Sequence, residues 1–294
     1  MKILFVAVFD KEGVSSNTSQ AKGFETLGHK VIRYNYRVRA ERIGSVNRDM
    51  ELIDVCASEK PELVVFAKTN TINPDVLLKC KDLGAKVCYW FPDPFRTYNT
   101  PEFLQMTKNA DFFCADKKNV TEVGSRLNPH SYKIPDGFDS NLEIPRNLEK
   151  DIDVSFIGSL HSDRAEKIKE LDRNVQVFSN AFGKTHSEIV SRSKICLNFC
   201  TTAGASDRTY KTLAAGGFYL SDDWDGRSEM FQDNIDLLIY DSIPDLREKI
   251  DYYLENPEER EKISVQGMKT VQSFSRLSWA KRVLDIYDEL YSTA

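Results

Sequence analysis

Short apolar runs alternate with segments of helical spacing along the whole chain. In the first half the candidate strands are Ile3–Val8, Val31–Tyr34, Leu63–Phe66, Val87–Trp90 and Asp111–Cys114. The segments between them, such as Ser15–Leu27 and Pro74–Leu83, end at Gly28 and Gly84, and glycine is a common helix stop. This alternation is typical of β–α units, so it predicts a doubly wound domain with a parallel sheet.

The alternation is interrupted at residues 134–151, IPDGFDSNLEIPRNLEKD, whose prolines, glycine and polar residues indicate a linker. It then restarts with the candidate strands Ile152–Ile157, Val175–Phe178, Ile195–Phe199, Phe218–Ser221 and Leu237–Tyr240, and the chain ends in helical segments. We predict an α/β protein of two Rossmann-like domains with parallel sheets, which face each other across a cleft. The predicted parts are an N-terminal domain (1–138), a linker (139–150), a C-terminal domain (151–275) and a final helix (276–294) that packs back on the first domain.

Composition excludes several classes of protein. The chain has 294 residues, of which 41% are hydrophobic, and no apolar stretch approaches the length of a membrane span. The run after Met1 stops at Asp10 without a cleavage site, which argues against a signal peptide. Six cysteines lie mostly in apolar segments and four histidines are scattered, so we expect buried thiols, a cytoplasmic location and no structural metal.

Two candidate helix starts in the second half carry cations. FIGSLHSDRAEK (156–167) places Gly158 and Ser159 before a helix with Arg164 in its first turn. RTYKTLAAGG (208–217) places Arg208 and Lys211 at a helix N-terminus, where cations are unfavourable unless an anion is bound. Because both helices follow parallel strands, their N-termini lie at one edge of the sheet. The pattern predicts a diphosphate site, and the alternative is that Arg208 pairs with a nearby aspartate while Lys211 faces water.

A basic segment in the first half suggests a different ligand. From Lys30 to Arg48, six basic residues accompany one acid, Glu41. Tyr34 and Tyr36 are interleaved with arginines, a pattern that can stack bases and hold phosphates. We therefore assign Arg37 and Arg39 to acceptor binding and keep a glycosyltransferase acting on nucleic acid, such as a modified DNA base, as the alternative. A solvated helix face is the simpler interpretation of the same segment.

Several segments together resemble the group 1 glycosyltransferases of the GT-B fold, and more closely their CgeB-type, spore-protein glycosyltransferase-like branch. The segments are YWFPDP (89–94), IPDGFD (134–139), DIDVSFIGSLHSDR (151–164), KICLNF (194–199), RTYKTLAAGGFYLSDD (208–223), EMF (229–231) and DLREKIDYYLENPEEREKISVQG (245–267). The resemblance covers most of the chain and is dense from about residue 134 onward.

The resemblance implies transfer of a sugar from a nucleotide-sugar, with a UDP-sugar favoured, to an acceptor bound in the cleft between the domains. By the resemblance, Gly158, Arg164, Arg208 and Lys211 border the donor diphosphate, and Glu229 holds the ribose hydroxyls. The predicted nucleotide-sugar site also includes Gly13, Ser159, Asn198 and Tyr210. An inverting transfer also needs a base for the acceptor's proton. Asp93, held between two prolines after a strand, is the first candidate, and His161 is the second.

This chain departs from the resemblance at Lys211, where many group 1 members have a glutamate that contacts the donor. A charged lysine cannot accept a hydrogen bond from a hydroxyl. Stereochemistry therefore stays open, as does a non-catalytic nucleotide-sugar binder. The run Asp222-Asp223-Trp224-Asp225 could bind Mg²⁺ or Mn²⁺, but the basic diphosphate site favours a transferase that needs no metal and no cofactor.

Overall fold

The computed structural model describes residues 1–93, 100–161, 163–200 and 204–292. The chain forms two compact units, one of residues 1–136 with 276–294 and one of residues 137–275. Pro94 of the YWFPDP motif and Ser162, a candidate helix start, lie outside the described residues.

The first unit contains a six-stranded parallel sheet in the order β2-β1-β3-β4-β5-β6. Its strands are β1 (Lys2–Ala7), β2 (Lys30–Asn35), β3 (Leu63–Ala67), β4 (Lys86–Phe91), β5 (Phe112–Ala115) and β6 (Ser131–Lys133). The central strands are buried on both faces, as parallel sheets covered by helices require. Each predicted strand of this half lies on an observed one. β6 was not predicted, because its three residues are polar or half-buried and give no apolar run.

The helices of the first unit are α1 (Ser16–Thr26), α2 (Tyr36–Ile43), α3 (Ser45–Glu59), α4 (Asp75–Asp82), α5 (Pro101–Asn109), α6 (Lys118–Ser125) and the final helix α12 (Arg276–Tyr291). Trp279 of α12 packs against Phe5, Phe24 and Trp90, at ring-centroid distances of 6.3, 5.5 and 5.3 Å. The C-terminal helix therefore belongs to the core of the first unit.

The second unit contains a five-stranded parallel sheet in the order β11-β10-β9-β7-β8. Its strands are β7 (Ile152–Ile157), β8 (Gln176–Phe178), β9 (Ser193–Asn198), β10 (Tyr219–Asp222) and β11 (Leu238–Tyr240). Its helices are α7 (Arg164–Leu171), α8 (Gly183–Arg192), α9 (Asp207–Ala214), α10 (Ile243–Glu255) and α11 (Pro257–Val271). The predicted strands of this half again coincide with observed ones to within two residues at each end.

The segment expected to link the domains packs within the second unit. The Ser187 hydroxyl donates to the Leu142 carbonyl at 2.7 Å, and the Arg146 amide donates to the Ser191 hydroxyl at 2.8 Å. Phe138 is buried in the same unit. Residues 139–150 thus lie against α8 as an ordered part of this unit. No helix among the described residues is long and apolar enough to cross a membrane.

Candidate functional site

Gly158 begins the loop that follows β7, at the carboxyl end of the second sheet. Its φ of +152° is a backbone conformation that residues other than glycine rarely adopt. A Cβ at this position would lie 3.2 Å from Cζ of Arg208, so glycine lets the guanidinium lie against the backbone. The Gly158 amide donates to the Phe178 carbonyl at 2.9 Å. This amide therefore supports the loop and is not free to bind a phosphate, although Gly158 was predicted to contact the donor.

Arg164, the first residue of α7, is buried and bound to backbone oxygens. Its two Nη atoms donate to the carbonyls of Ser159 and Phe199, at 3.0 and 3.1 Å. Cζ lies 5.6 Å from the centroid of the Phe156 ring. These contacts fix the side chain between the loop after β7 and the end of β9, at the sheet edge where ligands of such folds bind.

Arg208, near the start of α9, reaches the same ring. Its Cζ lies 5.3 Å from the centroid of Phe156. Nη1 donates to Oδ1 of Asn198, the last residue of β9, at 2.8 Å. The sequence alternative, in which Arg208 pairs with Asp207 or Asp222, is wrong for the described residues, because its hydrogen-bond partner is a neutral amide.

The two arginines form a concentrated positive charge. Among the described residues, neither makes an ion pair with a carboxylate; both are held by neutral oxygens. Burial, and secondarily the charge of Arg208, lower the pKa of Arg164. Two like charges at one buried ring are unfavourable on their own, and an anion that bridges them would relieve the repulsion. We call Arg164, Arg208, Phe156 and Gly158 the arginine site.

Lys211 does not face water, as the alternative had it. The residue is buried, and Nζ donates to Oδ2 of Asp207, one turn earlier on α9, at 2.6 Å. Asp207 places a carboxylate in the first turn of the helix, where negative charge is favourable. Lys211 itself lies in the last turn of this short helix, where a cation is favourable, and not at the N-terminus as the sequence had suggested. Its charge is thus accounted for within α9, which weakens the inference of a direct contact with phosphate.

His186 of α8 is a residue that sequence reasoning did not single out. It is 3% exposed, and neither ring nitrogen has a hydrogen-bond partner among the described residues. Burial, and secondarily the Lys211 charge, lower its pKa to about 3, so the ring is neutral at ordinary pH. The only sequence signal was a histidine among small polar residues of a helix, which does not distinguish a buried ring from an exposed one.

Asn198 and Tyr210 were both predicted to contact the nucleotide-sugar, and the structure buries both. Asn198 is 1% exposed and holds Arg208. Tyr210 is fully buried in the core of the second unit, with its ring near Phe231 and Phe274. Its α9 position faces the core, so Tyr210 supports the helix and is not at the surface of the arginine site.

The remaining donor-side residues are more accessible. Ser159 and His161 are exposed in the loop before α7, beside the arginine site. Glu229 is exposed in the turn after Gly226 and borders a depression that also contains Gln232 and Gln266. A cavity of about 1390 Å³ runs along α11 and is lined by none of the predicted site residues.

In the first unit, the loop that contains Gly13 is closed around a carboxylate. Asp10 accepts from the amides of Val14 and Ser15 at 2.8 and 3.0 Å and from the Thr18 hydroxyl at 2.9 Å. Burial opposes ionisation, but these hydrogen bonds hold the pKa of Asp10 well below its usual range. The Val14 and Ser15 amides are thus bound to a side-chain carboxylate and do not add to the predicted contact between Gly13 and a phosphorylated donor.

Asp93, the first candidate base, forms an ion pair with Lys68. Both side chains are partly exposed, at 21% and 39%. The lysine holds the carboxylate in place, which suits a base in geometry, but it occupies one of the two carboxylate oxygens. Residues 94–99, which follow it, lie outside the described chain.

The basic segment is largely neutralised within the first unit. Arg33 binds both carboxylate oxygens of Glu25, and Arg39 pairs with Glu51. Arg48 is buried against Asp49 and Thr71.

The aromatic residues of the same segment are also unavailable. Tyr34 and Tyr36 are buried, so neither can stack a base. Arg37 is exposed beside the Tyr36 ring. The observations that had suggested nucleic-acid binding are therefore mostly explained by packing, because β2 and α2 turn both tyrosines inward.

The acidic run at the end of β10 also has local partners. Asp222 accepts from the Cys200 amide at 2.5 Å and lies 3.7 Å from Nζ of Lys167, while Asp223 binds Arg227. Burial raises the pKa of Asp222. In the part of the chain that the structure describes, no three His, Cys, Asp or Glu side chains are grouped to hold a metal ion.

The chain has the GT-B fold of two parallel-sheet α/β units, and the second unit carries the arginine pair at the carboxyl edge of its strands. Residues 143–288, about half of the chain, match the family model described as Glycosyl transferase-like, and this part includes the arginine site. The chain is a glycosyltransferase. No curated protein matches the sequence at a significant level.

Solved glycosyltransferases share the fold over the full chain at low sequence identity. A glycosyltransferase from Rickettsia africae ESF-5 is 16% identical with a TM-score of 0.71, and the match covers 100% of this chain and 99% of that one. Anabaena Alr3699/HepE in complex with UDP is 11% identical with a TM-score of 0.72, covering 98% and 100%. Sucrose-phosphate synthase from Thermosynechococcus elongatus is 12% identical with a TM-score of 0.71, covering 100% of both chains.

Proposed function

We propose that the chain transfers a sugar from a nucleoside-diphosphate sugar, with a UDP-sugar favoured, to an acceptor, and that the diphosphate binds at the arginine site. The observation that carries the proposal is the pairing of Arg164 and Arg208 over one ring without a carboxylate partner among the described residues. The structure of Anabaena Alr3699/HepE with UDP supports a uridine nucleotide as the first donor to test. The motifs at 151–164 and 208–223 further support the CgeB-type branch.

In this proposal the arginines act on the leaving group. When the bond between the sugar's anomeric carbon and the diphosphate oxygen breaks, negative charge develops on the diphosphate. Two fixed guanidinium groups stabilise that charge more than they stabilise the intact donor, which lowers the barrier. They also supply the positive charge that a divalent cation would otherwise provide, so we propose that transfer does not require a metal.

The proton of the acceptor hydroxyl must pass to a base as the new bond forms. Asp93 remains the first candidate and His161 the second. Asp93→Asn and His161→Asn are the corresponding tests. The variant that loses transfer while it keeps its affinity for UDP identifies the base.

The experiment is a binding panel followed by a turnover assay. Calorimetry with UDP, GDP, ADP and uridine is expected to show that UDP binds and that uridine binds much more weakly, because uridine lacks the diphosphate. Hydrolysis of UDP-sugars is then measured in EDTA and again with Mn²⁺. Turnover that survives EDTA supports the proposal, whereas turnover that requires Mn²⁺ contradicts the metal-independent mechanism.

The same experiment separates the alternatives. Binding of UDP without hydrolysis or transfer to any acceptor favours a non-catalytic binder. Failure to bind any nucleoside diphosphate would overturn the proposed donor site. Since Tyr34 and Tyr36 are buried, we do not carry the nucleic-acid alternative further.

A further inference from the structure

Asn198 connects the arginine site to a buried polar chain. Its Oδ1 accepts from Nη1 of Arg208 at 2.8 Å, and its Nδ2 donates to Oγ of Ser221 at 3.0 Å and to Sγ of Cys200 at 3.2 Å. The Ser221 hydroxyl in turn lies 3.4 Å from Oδ1 of Asp222 and donates to it. The amide is therefore fixed in one orientation, with its oxygen toward the arginine and its nitrogen toward the strand β10.

The polar chain that begins at Arg208 ends at a carboxylate, Asp222, which is not paired with the arginine. Asp222 binds the Cys200 amide and faces Lys167, and it is connected to Arg208 through Ser221 and Asn198. An arginine at a buried polar network more commonly meets a carboxylate, since a bidentate ion pair satisfies both charge and hydrogen bonds. Here a neutral oxygen satisfies one N–H and leaves the cationic charge uncompensated.

The contact between Arg208 and Asn198 lies in a buried part of the second unit. Asn198 is 1% exposed and Ser221 is fully buried, so water does not screen or replace the contact. On its other side, the guanidinium lies against the backbone at Gly158 and over the Phe156 ring. The Arg208 side chain is thus held in one direction by three contacts, which come from β7, β9 and the loop after β7.

We propose that Asn198 is a positioning residue, which aims the Arg208 guanidinium at the donor diphosphate and, by being neutral, leaves its full charge for that ligand. The inference rests on the proposed function for the identity of the ligand. It reassigns Asn198 from a predicted donor contact to a residue that acts through Arg208. A carboxylate at position 198 would keep an acceptor for Nη1 of Arg208 while cancelling its charge, which makes Asn198→Asp the most informative substitution.

The first test measures affinity for UDP, inorganic pyrophosphate and uridine by calorimetry. We expect Asn198→Ala to weaken binding of UDP and pyrophosphate about 10-fold, and Asn198→Asp to weaken it about 100-fold, with uridine unchanged. Ser193→Ala is the matched control, because Ser193 is a buried polar residue at the other end of β9 that bonds Ser155 and Ile189. That variant is expected to keep wild-type affinity.

The second test needs no ligand. In arginine-labelled protein, a hydrogen bond to Nη1 slows rotation of the guanidinium and separates its Nη signals in NMR spectra. The Arg208 signal is assigned with Arg208→Lys, and the separation is expected to be lost in Asn198→Ala.

Three outcomes would overturn the positioning role. These are unchanged pyrophosphate affinity in both variants, an equal loss of uridine affinity that indicates a collapsed site, or Arg208 signals that are identical in wild type and Asn198→Ala. If the wild type binds neither UDP nor pyrophosphate, the proposed function fails, and the NMR comparison still decides whether Asn198 holds Arg208.

Discussion

Arg164 and Arg208 lie over the same aromatic ring, with their guanidinium carbons 5.6 and 5.3 Å from the centroid of Phe156. They come from the starts of two different helices, α7 and α9, and the fold brings both to one edge of the second sheet. The favourable cation–π contacts offset part of the cost of desolvating the buried Arg164 and the half-buried Arg208, but not the repulsion between them. The two guanidinium groups therefore favour binding of an anion that carries two charged groups, such as a diphosphate.

Removal of either arginine is expected to weaken UDP binding by about 10- to 100-fold, since a hydrogen bond to a charged group contributes about 1.5–3 kcal/mol. Arg164→Ala and Arg208→Ala are compared by calorimetry with Arg173→Ala. Arg173 pairs with Asp251 at the surface of the same unit and serves as the control. Wild-type UDP affinity in both Arg164→Ala and Arg208→Ala would exclude the arginine site as the donor site.

Gly158→Ala is expected to lower UDP affinity because a Cβ would lie 3.2 Å from Cζ of Arg208 and displace the guanidinium. It should also cost about 1 kcal/mol of stability through its positive φ. Gly216→Ala is the control: its φ is +76°, but the nearest atom to its added Cβ lies at an ordinary 3.5 Å. Urea unfolding should show a loss for both variants and calorimetry a loss of affinity for Gly158→Ala alone. An equal effect of both on UDP binding would contradict the role of Gly158.

The Asp207–Lys211 pair allows the charge at the start of α9 to be varied one side chain at a time. Lys211→Met removes one positive charge beside the Asp207 carboxylate, and we expect UDP affinity to fall about 3- to 10-fold because the site becomes less positive. Asp207→Asn should raise affinity and lower stability, because it leaves a buried cation without that partner, and the double variant should bind nearly as the wild type does.

The matched control is Asp245 and Lys249 of α10, which have the same spacing and order at a helix start. The same substitutions there are expected to leave UDP affinity unchanged. Equal or tighter UDP binding by Lys211→Met would show that the pair does not influence the donor site.

The sequence predicted the fold well because the strands of parallel sheets are apolar on both faces. Leu63–Ala67 has no polar residue and is buried throughout, so its character was unambiguous. The arginine site could also be predicted, since helices that follow parallel strands begin at the same edge.

Other features depended on which way a side chain faces. Tyr34 and Tyr36 straddle the end of β2 and the start of α2, so their spacing did not show that both point inward. The neutral partner of Arg208 comes from a strand ten residues earlier, and no local pattern indicates it. His186 was missed for the same reason, because burial of a helix residue depends on the neighbouring helix α9.

His186 makes the protein's stability depend on pH in a defined direction. Its ordinary pKa of 6.5 falls to about 3 in the folded protein, through burial first and the Lys211 charge second. Above pH 6.5 the ring is neutral in both the folded and the unfolded chain, so it adds no pH dependence. Below pH 6.5 the unfolded chain binds a proton that the folded chain does not, and the folded state loses about 1.4 kcal/mol per pH unit.

His186→Leu removes that group while nearly preserving volume, and the electrostatic partners Asp207, Arg208 and Lys211 stay in place. At pH 8 the variant is expected to be as stable as the wild type or more so, because neither ring nitrogen has a partner among the described residues. At pH 5 it should be more stable by about 2 kcal/mol beyond any difference at pH 8. Urea unfolding at both pH values measures this change, and a constant difference between the two proteins from pH 8 to pH 5 would show that the buried ring does not resist protonation.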